Sequence, residues 1–133
     1  MTDLDRRLES LIPQDADLVV TCDRNGFNAG SMIVRCCQPL REIFEEALKR
    51  RDEFDWPNGL NEQNALTWLL WKVKDRVCIL PQRELNSYAL ECDAGSDTWQ
   101  PGHFVLHCPS APNSVRIKAL TDAVLYAAKA DRE

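Results

Sequence analysis

Apolar positions fall into blocks whose spacing changes along the chain. Leu4, Leu8, Leu11 and Ile12 stand at i, i+4, i+7 and i+8. That spacing marks one face of a helix, and Pro13 ends it. The run LVVTC at 18–22 lies between Asp17 and Asp23 and reads as a strand. Asp23-Arg24-Asn25-Gly26 then reads as a turn, because Asn and Gly tolerate positive φ. Residues 29–36, with Met32-Ile33-Val34 at their centre, read as a second strand buried on both faces. Pro39 suits a first helical turn. Leu40, Ile43, Phe44, Ala47 and Leu48 follow as an apolar stripe, with Arg41, Glu45, Glu46, Lys49 and Arg50 opposite. Glu45–Lys49 and Glu46–Arg50 are i, i+4 pairs in the favourable order.

Trp56-Pro57-Asn58-Gly59 breaks the pattern, and Asn61 is placed to cap a helix over 62–75. Leu66, Leu69, Leu70 and Val73 form its stripe. Trp68 and Trp71 widen that stripe, which predicts burial on more than one side. Strands are expected over 76–81, 88–90 and 104–108. After Pro109 and Pro112, Ser114 caps a last helix over 113–133, with Ile117, Leu120, Val124 and Leu125 on its buried face. No internal repeat appears. The order predicts an α/β domain with a mixed sheet and flanking helices. The regular alternation of a doubly wound sheet is missing.

Composition narrows the picture. A chain of 133 residues is one domain, 1–133, long enough for a real core. The net charge of −5 excludes the basic footprint of a nucleic-acid binder. No apolar run approaches the roughly 20 residues of a membrane span. The start, MTDLDRRLES, does not read as a signal peptide. Cys22, Cys36, Cys37, Cys78, Cys92 and Cys108 include no CxxC and no zinc spacing. Four of them lie in apolar runs, so mostly reduced, buried thiols are expected.

Four polar clusters interrupt the apolar blocks. Asn25-Gly26-Phe27-Asn28-Ala29-Gly30 brings two amides and two glycines into a strand. It reads either as a hairpin turn or as a surface for a polyol, which amides bind as donors and acceptors. Glu62-Gln63 opens a helix. The macrodipole favours a carboxylate there, and the same carboxylate could steady charge at an anomeric carbon. His107 ends a strand, as a structural histidine or a metal ligand, while His103 reads as a loop residue. Asp15-Ala16-Asp17 has the form of a metal-binding DxD. It precedes a strand rather than following one, so its context argues against that role.

Taken in order, these pieces resemble the galactosyl-, mannosyl- and xylosyltransferase family, glycosyltransferase family 34. The matching segments are DLVVT (17–21), NGFNAGSMIVR (25–35), NEQNALTWLL (61–70), the stretch 77–88 with Pro81-Gln82-Arg83 and Asn86-Ser87-Tyr88, and WQPGHFVLHC (99–108). They cover about 8–108. The resemblance implies a GT-A fold, and this chain would be its acceptor-side half. It implies retaining transfer of a hexose or pentose from a nucleotide sugar to a glycan acceptor, usually with manganese. Glu62 and Gln63 take the catalytic positions. Asn28, Gly30, Asn86 and Gly102 fall on substrate-binding positions, and His107 on a metal-ligand position. Two departures stand out. His107-Cys108-Pro109-Ser110 replaces the family's Phe-x-Gly and following basic residue, and the family's DxD has no match here. The expectation is therefore a partial catalytic domain, weakly active or inactive alone, with a sheet edge available for association. Most relatives are anchored in the Golgi membrane. The alternative is a non-catalytic carbohydrate-binding or partner-binding module of the same fold.

Overall fold

A computed structural model describes residues 6–54, 61–89, 98–108 and 111–130; the side chains at 51, 54, 61, 127 and 130 are outside that set. Leu4, the break at 56–59, Leu90, Cys92, Pro109 and the capping side chain of Asn61 therefore lie outside the described residues. Of the first expected helix, a 3-10 turn at Leu8–Leu11 is described.

Strand β1 (Leu18–Asp23) is the centre of a three-stranded sheet. It pairs antiparallel with β2 (Gly26–Val34) and parallel with β3 (Val77–Leu80). The sheet is thus mixed, as expected. The turn at 23–26 forms a tight hairpin, with Asp23 opposite Gly26 and Gly26 at φ 93°. That conformation costs glycine nothing. A second sheet pairs β4 (Ser87–Tyr88) in parallel with β5 (Leu106–His107). The strand expected over 104–108 is therefore two residues long.

Successive residues of β1 face opposite sides. Leu18 and Val20 pack with Leu40, Ile43, Leu66, Leu69 and Leu70 from helices α1 (Gln38–Lys49) and α2 (Asn61–Leu70). Val19 packs on the other side with Leu11, Leu85 and Phe104. A single helical turn, α3 (Gln82–Leu85), carries Leu85 there. This second side receives the β4–β5 ribbon and carries the polar cluster described below.

Several expectations are corrected. β2 lies at the edge of the described sheet, and Val34 is exposed, so this strand is not buried on both faces. α2 ends at Leu70 and passes into a 3-10 stretch, Trp71–Arg76, that kinks at Val73. Trp68 and Trp71 are 51% and 71% exposed, so they extend no core. Instead Arg50 stacks over Trp68 at 4.3 Å and Lys74 over Trp71 at 5.5 Å, cation–π contacts that suit aromatic rings left in water. The last helix, α4 (Asn113–Ala130), turns its small residues inward: Ala123 is buried and Ala119 half-buried. Ile117, Leu120, Val124 and Leu125 consequently face out, each more than half exposed. Cys22, Cys36, Cys37 and Cys78 are free thiols, and of the five described cysteines four are half-buried and Cys36 is exposed. No described helix is long and apolar enough to cross a membrane.

Candidate functional site

The site grows out of an irregularity in β2. Val19 pairs with Ile33 and Thr21 with Asn28, so two steps along β1 match five along β2. The extra residues leave the ladder, and their backbone N–H groups need other acceptors. Asn28 Oδ1 accepts from Gly30 N–H at 2.7 Å. Gln63 Oε1 reaches across from α2 to accept from Ala29 N–H at 3.0 Å. These donors fix both amide orientations, because only oxygen can accept from a backbone N–H. Asn28 Nδ2 is thereby aimed at Asp23 and Tyr88.

Asp23 ends β1 and divides its carboxylate between two tasks. Oδ1 accepts from Asn25 N–H at 2.7 Å and closes the hairpin. Oδ2 accepts from Asn28 Nδ2 at 2.6 Å and from the Tyr88 hydroxyl at 2.5 Å. Tyr88 Oη in turn accepts from Asn28 Nδ2 at 3.0 Å and, at a longer 3.4 Å, from Asn86 Nδ2. Asn86 is wholly buried, and its Oδ1 hydrogen-bonds Nδ1 of His107. The His107 ring also meets Tyr88 edge-on, with centroids 5.4 Å apart. Burial pushes the His107 pKa below its ordinary value, and the nearby Asp23 charge partly opposes this. A neutral imidazole at neutral pH follows.

Gly30 seats that ring. A Cβ built there would lie 3.0 Å from His107 Nε2, 2.9 Å from Asn28 Oδ1 and closer still to His107 Cε1. Glycine is needed here for close approach rather than for a positive φ. Thr21 stands opposite Asn28, fully buried, and its hydroxyl has no hydrogen-bond partner among the described residues.

Of the residues picked from sequence, Asn28, Gly30, Gln63, Asn86 and His107 thus share one cluster or its backbone support. Glu62 is exposed in the first turn of α2. Gly102 is exposed on a turn at φ 88°, with open space where a side chain would be. His103 does more than occupy a loop, since its Nδ1 lies 2.7 Å from Ser87 Oγ and ties that loop to β4. Asp23 and Tyr88 were missed. Asp23 sits beside the Asn-Gly signal and looks like turn chemistry, and Tyr88 looks like an ordinary strand aromatic. Asp17 is no free metal ligand: Arg76 Nε lies 2.6 Å from one oxygen and Arg35 Nε 3.1 Å from the other. On the opposite side of β1 a separate apolar cavity of about 220 Å³ is lined by Val20, Cys22, Phe27, Leu70 and Ile79 among others. It contains none of the polar cluster.

A manganese centre needs several hard ligands. The described residues bring together no three His, Cys, Asp or Glu side chains that could hold a metal. One imidazole does not make such a centre. What the arrangement does provide is a wall of oriented amides, a carboxylate and a neutral imidazole beside exposed backbone at Gly30.

No curated protein and no solved structure matches the chain. A family comparison does: the sequence model of the galactosyl transferase GMA12/MNN10 family matches residues 4–111. That span holds every element from the first 3-10 turn through β5, including the Asn28, Gly30, Gln63, Asn86 and His107 positions. With most of its length and its whole polar cluster inside the match, the chain belongs to the galactosyl transferase GMA12/MNN10 family.

Proposed function

We propose that this chain contributes one wall of a site where a retaining transferase moves a hexose or pentose from a nucleotide sugar to a glycan acceptor. The family match over 4–111, with the convergent Asn28–Gly30–Asn86–His107 cluster inside it, carries this reading. Sugars are recognised by paired donors and acceptors held rigidly. Gln63 satisfies Ala29 N–H with its oxygen, and its Nε2 has no partner among the described residues. It is placed to donate to a sugar hydroxyl. Glu62, one residue earlier and in water, would stabilise positive charge developing at the anomeric carbon. Asn28 and Gly30 would hold the sugar from below, Asn86 would act from beneath them, and Gly102 would contribute from its loop. His107 would supply one nitrogen of a manganese site whose carboxylates come from outside the described residues.

This reading expects little or no transfer by the 133-residue chain alone. UDP- or GDP-hexose, manganese and oligosaccharide acceptors are incubated with it, and product is followed by mass spectrometry. Robust turnover would refute the claim of a partial site. The same oriented amides of Asn28, Gln63 and Asn86 would equally serve a second reading, a carbohydrate-binding or partner-binding module without chemistry. A glycan titration without metal separates the two, since binding there supports the module. The outer edges of β2 and β3 have no ladder partner among the described residues. A strand from another segment or subunit would pair there. A Golgi location follows for a typical family member.

A further inference from the structure

We propose that Asp23, Tyr88 and Asn86 form a chain of positioning residues that holds His107 as the Nδ1–H tautomer, so that Nε2 presents its lone pair beside Gly30. Asp23 is the member of this series that cannot donate. An ionised Asp23 accepts hydrogen bonds and gives none. The Tyr88 hydroxyl therefore points its proton at Asp23 Oδ2, over 2.5 Å. With that proton committed, Tyr88 Oη can only accept from its other neighbours, and two amide nitrogens face it, from Asn28 at 3.0 Å and Asn86 at 3.4 Å. Asn86 must then turn its oxygen the other way, toward His107 Nδ1. An oxygen facing Nδ1 requires the proton on Nδ1 and leaves Nε2 bare.

Each link is buried or half-buried, so water does not easily scramble the order: Asn86 is 0% and Tyr88 3% exposed. A reversed Asn86 would place its oxygen against the Tyr88 oxygen and its amide against Nδ1. That arrangement leaves a buried acceptor facing another oxygen, which costs more than the single bond it forms. The Tyr88 ring meeting the imidazole edge-on restrains the plane of His107. Gly30 leaves the room that Nε2 needs, and Nε2 has no hydrogen-bond partner among the described residues. The result is a nitrogen whose direction is set from a carboxylate three hydrogen bonds away. Such an atom serves an electron-pair acceptor, whether a divalent cation or a hydroxyl of the sugar. This inference rests on the transferase reading only for the identity of that acceptor; the tautomer itself does not depend on it.

The test is the ring nitrogen spectrum of the full chain. The two histidines, His103 and His107, are separated by assigning the signals lost in His107→Gln. Long-range proton–nitrogen correlations in the unliganded protein should show a protonated Nδ1 and a bare Nε2 on His107. Asn86→Leu removes the acceptor, and Tyr88→Phe removes the group that orients it. A hydrogen bond of ordinary net strength changes such a ratio about fivefold, so both variants should move the tautomer ratio by about that factor toward Nε2–H. Asn86→Asp, which keeps an acceptor oxygen, should restore Nδ1–H. Circular dichroism checks that each variant is folded, and a variant that fails this is replaced by Asp23→Asn, which attacks the same chain from its far end. A wild-type Nε2–H tautomer, or folded variants with an unchanged ratio, would overturn the proposal. Separate titrations then identify the acceptor. Manganese that broadens His107, or UDP-galactose without metal that shifts it, supports the transferase reading. Silence in both overturns that reading while the tautomer result stands.

Discussion

Replacing Gly30 with alanine is the most direct probe of how the cluster is packed. The added methyl would meet Asn28 Oδ1 at 2.9 Å, His107 Nε2 at 3.0 Å and Cε1 closer still. Ordinary carbon contacts settle near 3.5–4.0 Å, roughly, so the imidazole must retreat by about an ångström or more. Retreat is not free, because Nδ1 is hydrogen-bonded to buried Asn86 and Tyr88 borders the ring. Overfilling a packed site costs about 1–3 kcal/mol. Against this, alanine restricts the unfolded chain and returns about 0.4–1 kcal/mol, since Gly30 has no positive φ to lose. The net expectation is a loss of about 1 kcal/mol. With a urea slope of about 1–3 kcal/mol per molar, the midpoint should fall by about 0.3–1 M. The same variant should move the His107 ring signals while leaving those of His103 in place. An unchanged or raised midpoint with unmoved His107 signals would mean that the ring does not rest on Gly30.

Asp17→Asn should cost about 1–3 kcal/mol in urea unfolding, since Asp17 is 3% exposed and bonds two guanidinium groups. The loss stays moderate because Arg35 and Arg76 remain half in water, and a change below about 0.5 kcal/mol would count against a structural role. Thr21→Val removes a buried hydroxyl that has no described partner and should raise stability by about 1 kcal/mol; a loss in thermal unfolding would show that the hydroxyl is bonded after all. Burial holds the folded pKa of His107 below its ordinary 6.5. The unfolded chain then takes up the proton first, so this stabilisation is complete above 6.5 and is lost as pH falls through the folded value. Urea midpoints of the wild type and His107→Gln should therefore converge on acidification from about pH 7.5 to about pH 5, and a gap that widens would reverse the sign of the argument.

Local sequence was enough for the elements that stand on local forces. The Asn-Gly turn set the β1–β2 hairpin, and Pro39 with the stripe from Leu40 set α1. Both rest on residues within one or two turns of each other. It also identified Asn28, Gln63, Asn86 and His107 one at a time, though not Asp23 or Tyr88, and the order of its motifs pointed to the family. It did not show which of them meet. Asn28 and Tyr88 are 60 positions apart and Asp23 and Tyr88 are 65 apart, and their contact depends on the β4–β5 ribbon docking on one chosen side of β1. Asp23 shows the division best. Its Oδ1 does the turn work that the sequence announces, and its Oδ2, besides accepting from Asn28, takes a hydroxyl bond that exists only after Tyr88 arrives. The last helix makes the same point from the apolar side. Periodicity shows that Ile117, Leu120 and Val124 share a face, but only packing decides that Ala123 is the one turned inward. Spacing along a chain fixes which side chains point together, and what lies opposite them is decided by the rest of the fold.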